Sequence, residues 1–146
     1  MDRYLDTTQV GPMWLLQPSV AQVVLQCIDT GVHLRHYELH AYVIMSNHVH
    51  LLITPQIDPS RLIKSLKGTS AREGNKLLQR TGTPFWQKEC YDHWVRDERE
   101  FEKIQEYIEE NPVKAGLVAR AELYPWSSAS VAMSGDAARM SACATG

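Results

Sequence analysis

Cysteine is scarce in this chain, and so is net charge. Cys27, Cys90 and Cys143 lie far apart, and no two of them form a CxxC pair. An odd count without that spacing argues against a disulfide framework or a zinc ribbon and fits a reducing, cytoplasmic compartment. The formal net charge is −2, so no overall field draws the chain onto nucleic acid or membrane. Any nucleic-acid surface has to come from local clustering. There is no signal-peptide pattern, no apolar run long enough to span a bilayer and no internal repeat. No membrane partner is therefore expected.

What is present suits one folded unit. The 146 residues are 44% hydrophobic and 22% charged, enough to close a single core. One domain is expected over residues 1–128. Residues 129–146 are rich in Ser, Ala and Gly, have little to bury, and are expected to be a disordered tail.

The pattern of elements follows from periodicity and breakers. Residues 1–17 do not look like a complete element. Pro18-Ser19 opens a helix carrying Val20, Val23, Val24 and Cys27 at helical spacing, and Thr30-Gly31 is expected to end it. "HYELHAYVIM" and "HVHLLIT" are β-rich runs separated by Ser46-Asn47, which reads as a tight hairpin. Residues 60–80 form a helical region expected to be interrupted at Gly68 and Gly74. "PFWQKECYDHWV" is an aromatic extended stretch. Asp97 caps a long helix with Glu98 and Glu100 in its first turn, and Pro112 and Gly116 mark its end or a break. The order predicts an α+β fold, an antiparallel sheet covered by helices.

Two segments carry chemistry. In "HAYVIMSNHVHLL" side chains alternate, so His48 and His50 face one way while Val49, Leu51 and Ile53 face a core. Same-face neighbours on a strand lie roughly 7 Å apart at Cα, close enough for two imidazoles to meet one ion. They could equally be half-exposed histidines on a polar face. A catalytic metal also needs a third ligand. His40 and His93 are available, but neither has a committing spacing. In "EFEKIQEYIEENPVKAGLV" Phe101, Ile104 and Ile108 form an apolar stripe, while Tyr107 and Asn111, four apart, share a neighbouring face. They could supply a nucleophile and an oxygen ligand, or be an edge-of-core aromatic and a helix cap.

"MSNHVHLL" together with "FWQKECYDHWVRDE" and "YIEENPVKAGLV", in this order, resembles the REP-associated tyrosine transposases, a branch of the IS200-like HUH single-tyrosine transposases. The resemblance runs from about Gly11 to Ser128. It departs at Ser46, where the family usually has proline. Such proteins usually begin with an aromatic, threonine-rich strand, and Met1 is expected to follow it, leaving the sheet without its N-terminal strand. That absence would leave unpaired ladder groups and puts activity in doubt.

The resemblance implies a ferredoxin-like fold and metal-dependent nicking and joining of single-stranded DNA, at hairpin or REP-type sequences, through a 5′-phosphotyrosine. It implies His48, His50 and Asn111 as ligands of Mg²⁺ or Mn²⁺, Tyr107 as the nucleophile, and a monomer or homodimer. DNA contacts are expected from the basic stretch with Arg61, Lys64, Lys67, Arg72, Lys76 and Arg80 against only Asp58 and Glu73. Trp86, Tyr91 and Trp94 could stack bases or belong to the core, and the core is favoured for Trp94. Two other functions stay open: a non-catalytic DNA-binding protein of transposase descent, and an unrelated metallohydrolase built on His48 and His50.

Overall fold

The computed structural model describes residues 2–7, 14–86 and 90–130, without the side chains of Cys90 and Tyr91. Residues 131–146, most of the expected tail, lie outside the described residues, as do residues 8–13 and 87–89. Four strands and three helices follow in the order β1 (Arg3–Thr7), α1 (Pro18–His33), β2 (Tyr37–Ile44), β3 (Val49–Pro55), α2 (Pro59–Leu78), β4 (Cys90–Trp94) and α3 (Glu98–Lys114). Short 3-10 turns sit at Trp14–Leu16 and Ala121–Leu123. The sheet is antiparallel, with strand order β2-β3-β1-β4. This is the ferredoxin-like arrangement, a mixed α/β fold.

The expectation of a missing N-terminal strand is corrected. Arg3–Thr7 is β1, and it lies inside the sheet, paired to β3 on one side and β4 on the other. Of its five residues, RYLDT, only Leu5 is aliphatic, so they carry no apolar alternation. Leu5 turns to the core under α1 and α2, and Tyr4 turns to the opposite face. With no period of two to read, long-range pairing decides the outcome.

The sheet divides the interior in two. Val49, Leu51 and Ile53 of β3 pack with Val20, Val24 and Ile28 of α1 and Leu62 of α2. Leu52 packs on the other face with Ala41, Val43 and Ile108 of α3. The alternation expected around the histidines is therefore the observed one.

α1 and α2 differ from expectation at their glycines. α1 runs on through Gly31 to His33. A Cβ at Gly31 would lie 2.5 Å from Tyr37 Cε2, so the glycine makes room for a buried ring within the helix. α2 is one helix without interruption at Gly68 or Gly74, and at Gly74 a Cβ would meet Phe85 Cε1 at 2.6 Å. α3 ends between Pro112 and Gly116 as expected, at Lys114, and Gly116 follows its cap with φ +76°. Pro112 leaves the Ile108 carbonyl without its helical N–H donor, but its ring is fully buried beside a fully buried Ile108. Asp97 caps α3 as expected, its Oδ1 accepting the Glu100 N–H at 2.8 Å. Among the described residues no helix is long and apolar enough to cross a membrane.

The topology sets which groups share an end of the sheet. β3 begins at the end where β1 finishes, since Asp6 pairs with His50 and Thr7 with Val49. α3 starts at the opposite end, where the Val95 N–H donates to the Asp2 carbonyl at 2.9 Å, and runs toward the histidines. α2 also runs toward the histidine end, but on the other face of the sheet.

Candidate active site

His48 ends the connection between β2 and β3, and His50 is the second residue of β3. The Met45 N–H donates to the His48 carbonyl at 2.8 Å and closes the turn. The turn is anchored from outside by the Leu15 N–H, which donates to the Ser46 carbonyl at 3.0 Å. The two imidazole rings lie 4.7 Å apart, centroid to centroid, at 88°. They share a face of the sheet as predicted.

α3 brings two more groups to the same place. The Tyr107 ring is 5.7 Å from the His50 ring, edge to face. Asn111 Nδ2 is 3.3 Å from His50 Nε2. Ile108, wholly buried between these two positions in sequence, fixes the rotation of the helix. Burying such a side chain contributes roughly 1.5–3 kcal/mol. Tyr107 itself stays 44% exposed, open to a large substrate.

Hydrogen bonds fix the imidazoles. His48 Nδ1 lies 2.8 Å from Asn47 Oδ1. An amide oxygen only accepts, so Nδ1 carries the proton and Nε2 keeps its lone pair. His50 Nδ1 lies 2.7 Å from the Tyr4 hydroxyl. With the Asn111 amide donating to Nε2, the His50 proton sits on Nδ1 and is given to Tyr4. The His48 Nε2 lone pair thus lies away from Asn47, and the His50 Nε2 lone pair faces Asn111.

Burial keeps the pair neutral. It pushes His50 down to about 3, with the neighbouring His48 adding to the effect. It also lowers His48, against a partial pull upward from the Asp6 carboxylate. Neutral imidazole is the ligand form. Burial raises the Asp6 carboxyl above its ordinary value, against a lowering by His48.

Sequence reasoning missed Tyr4 and Asp6. Tyr4 stacks on His50 at 5.7 Å and 17°, and Asp6 Oδ1 stands 3.7 Å from His50 Nδ1. RYLDT has no alternation that would have marked either residue.

The other candidates lie elsewhere. His40 Nε2 bonds with Thr54 Oγ1 at 2.6 Å, and His93 Nε2 with Glu100 Oε1 at 3.1 Å. Among the described residues no three His, Cys, Asp or Glu side chains converge to hold an ion. Arg61, Lys64, Lys67, Arg72 and Lys76 are all on α2, across the sheet from Tyr107. Arg72 and Lys76 flank Glu73 at 3.9 and 3.4 Å. The Arg80 guanidinium covers the Trp14 ring at 4.1 Å. Trp86 is half-buried and donates from Nε1 to Ser70 Oγ at 2.8 Å. Trp94 is 49% exposed, with the Arg3 guanidinium 3.6 Å over its ring, so the core placement favoured for it is corrected. It sits on an edge strand, where one flank has no neighbour. The side chain of Tyr91 lies outside the described residues.

A tyrosine and an amide one helical turn apart, set against two histidines from a hairpin, is the arrangement that the resemblance implied. The family described as "Transposase IS200 like" matches residues 14–111, about two thirds of the chain. This chain belongs to that family. A protein of Haemophilus influenzae described as a REP-associated tyrosine transposase is 31% identical over 103 residues, which cover 63% of this chain and 58% of that one. The chain thus spans under two thirds of that relative's length. Among solved structures, a REP-associated tyrosine transposase bound to a REP hairpin has a similar fold, with a TM-score of 0.71 and 21% identity over 95% of this chain and 80% of that one. A protein of Deinococcus radiodurans described as a transposase matches with a TM-score of 0.55 and 26% identity, over 75% of this chain and 89% of that one. Membership removes the reading of an unrelated metallohydrolase.

Proposed function

We propose that this chain nicks and joins single-stranded DNA at hairpin sequences through a covalent 5′-phosphotyrosine on Tyr107. The observation that carries this reading is the meeting of Tyr107, Asn111, His48 and His50 on one face at one end of the sheet. The solved relative bound to a REP hairpin supports hairpin DNA as the substrate class.

The residues present fit a divalent cation. His48 and His50 offer Nε2 lone pairs. The Asn111 amide, whose nitrogen and oxygen can exchange places by a half turn, can offer its oxygen. Two imidazoles and an oxygen suit Mn²⁺, and Mg²⁺ with added water. Such a cation, when bound, supplies charge that polarises the phosphate and offsets the negative charge on the leaving oxygen.

The chain's own groups do the rest. Tyr107, exposed at the rim, attacks phosphorus with its phenol oxygen. The new O–P bond forms as the bond from phosphorus to the 3′ oxygen breaks. The phenol proton is lost and one proton is gained by the leaving 3′ oxygen, so the step is balanced. Phosphotyrosine keeps the energy of a phosphodiester, so a 3′-OH can reverse the step and join strands without a nucleotide cofactor.

Incubation of the chain with a single-stranded hairpin oligonucleotide and Mn²⁺, followed by a denaturing gel, tests this. A protein–DNA adduct that requires both the metal and Tyr107 is expected. Hairpin binding without any adduct would instead favour the non-catalytic DNA-binding reading.

A further inference from the structure

β1 contributes two polar side chains behind the histidine pair. The Tyr4 hydroxyl touches His50 Nδ1 at 2.7 Å, and its ring lies nearly parallel to the imidazole. Asp6 stands directly opposite His50 in the β1–β3 register. Its Oδ1 is 3.7 Å from the same nitrogen and is buried with no hydrogen-bond partner. Leaving a buried acceptor bare costs about 1–3 kcal/mol, and more for a charged one. Valine or threonine would fit a strand here without that cost. A positive charge held close by would offset it.

We infer that Tyr4 and Asp6 are positioning residues for His50, holding it in the tautomer that presents Nε2 and placing a negative charge behind the site. The inference rests on the metal-binding role of His50 proposed above. Asp6 stands beside Nδ1, whereas the nitrogen that would meet the ion is Nε2, facing Asn111. It acts through the ring. With the Asn111 amide nitrogen facing Nε2, that ring nitrogen accepts, and the Nδ1 proton is given to the Tyr4 oxygen, which holds this tautomer in place. The stacked Tyr4 ring limits rotation of the imidazole on one side, and Tyr107 limits it by its edge on another. Asp6 polarises the Nδ1–H bond and so makes Nε2 a better donor. Supporting groups of this kind change metal affinity by about 10–100-fold.

Two substitutions separate positioning from mere structure. Tyr4→Phe keeps the stacked ring and removes the oxygen. Asp6→Asn keeps the size and removes the charge. Nitrogen NMR of the imidazoles in the full metal-free chain should place the His50 proton on Nδ1 in the parent and show mixed tautomers in Tyr4→Phe. Titration with Mn²⁺, followed by electron paramagnetic resonance, should show affinity reduced by about 10-fold or more in Asp6→Asn. Partial recovery is expected in Asp6→Glu. Thermal melting should move little in Tyr4→Phe and should not fall in Asp6→Asn, which removes a buried charge. A parent that binds Mn²⁺ while both variants match it in affinity and tautomer would overturn this inference alone. A parent that binds no Mn²⁺ at all would overturn the metal reading of the site, and this inference with it.

Discussion

Tyr107 carries the sharpest expectation at the scale of the single residue. Its ring is held edge-on to His50 and its exposure leaves the hydroxyl side open. Tyr107→Phe keeps those ring contacts, so melting should shift by no more than a degree or two, while the DNA adduct disappears and hairpin binding persists. An adduct formed by the phenylalanine variant would remove Tyr107 from the mechanism. His50 gives a second expectation, for stability against pH. Its environment is Tyr4 and Asp6 from β1, His48 from the turn, and Tyr107 and Asn111 from α3. The unfolded chain takes up a proton at His50 near the ordinary value of 6.5, whereas the folded chain resists until about 3. Protons therefore favour the unfolded state between those values. The contribution of neutral His50 is complete above 6.5 and is lost progressively as pH falls toward 3. His48 acts in the same sense, and Asp6, with its raised carboxyl, offsets part of the loss at the acid end. Urea unfolding at pH 7.5, 6 and 5 should show falling stability, and His50→Gln should flatten the slope. Equal stability of the parent at all three would refute the assignment. His48 and His50 were legible in the sequence because an apolar alternation surrounds them, and Tyr107 and Asn111 because four residues make one helical turn. Tyr4 and Asp6 were not, because only pairing across the sheet brings β1 to them.

Elements were read well where a periodic run was long and poorly where a glycine interrupted it. Both strands of the hairpin and the start of each helix stood where the pattern placed them. Gly31 and Gly74 misled because they make room for a buried ring and do not end their helices, whereas Gly116, with φ +76°, does follow the end of α3 as expected. Gly68 and Gly74 of α2 differ in the room around them. At Gly68 a Cβ would meet nothing within 4 Å. Gly68→Ala should therefore stabilise the chain by up to about 1 kcal/mol, the helix-interior difference between the two residues. At Gly74 the Phe85 ring is in the way, 2.6 Å from the added carbon. Phe85 is itself buried and stacked against Trp14 at 5.4 Å, tilted by 30°, so it has little freedom to retreat. Gly74→Ala should destabilise, by roughly 1–3 kcal/mol for an overpacked site. Melting curves of the two variants should move in opposite directions. A rise for both would mean that Phe85 can repack and that the close approach does not hold the helix in place.

Across the whole molecule, the site and the basic surface lie on opposite faces of one sheet. α3 carries Glu102, Glu106, Glu109 and Glu110, which repel phosphate, and Lys114, which attracts it and whose Nζ lies 5.4 Å from the Tyr107 ring centroid. Further attraction is available from α2, whose C-terminal end lies at the same end of the sheet as the histidine turn, with Arg80 over Trp14 and the Leu15 N–H bonded to Ser46. A strand seated at Tyr107 can reach Arg72 and Lys76 by passing over that end. Their exposed contacts with Glu73 are weak competitors. Arg61 and Lys64 are about three to four turns further along, ~20 Å at 1.5 Å per residue, and only a longer or folded DNA spans the gap. Neutralising Arg72 and Lys76 together should weaken binding of both a short single strand and a full hairpin. Neutralising Arg61, Lys64 and Lys67 should weaken the hairpin alone, and the salt dependence of hairpin binding should flatten by about two in log–log slope, near 0.7 per lost phosphate contact. Neither change should slow adduct formation at saturating DNA, since no α2 side chain reaches the reacting face. Fluorescence anisotropy over a salt series, with oligonucleotides of two lengths, measures all three effects. Hairpin affinity unchanged in the triple variant would reduce the first half of α2 to a solvated face. Equal losses on the short strand from both variants would mean that the DNA runs along α2 by another route.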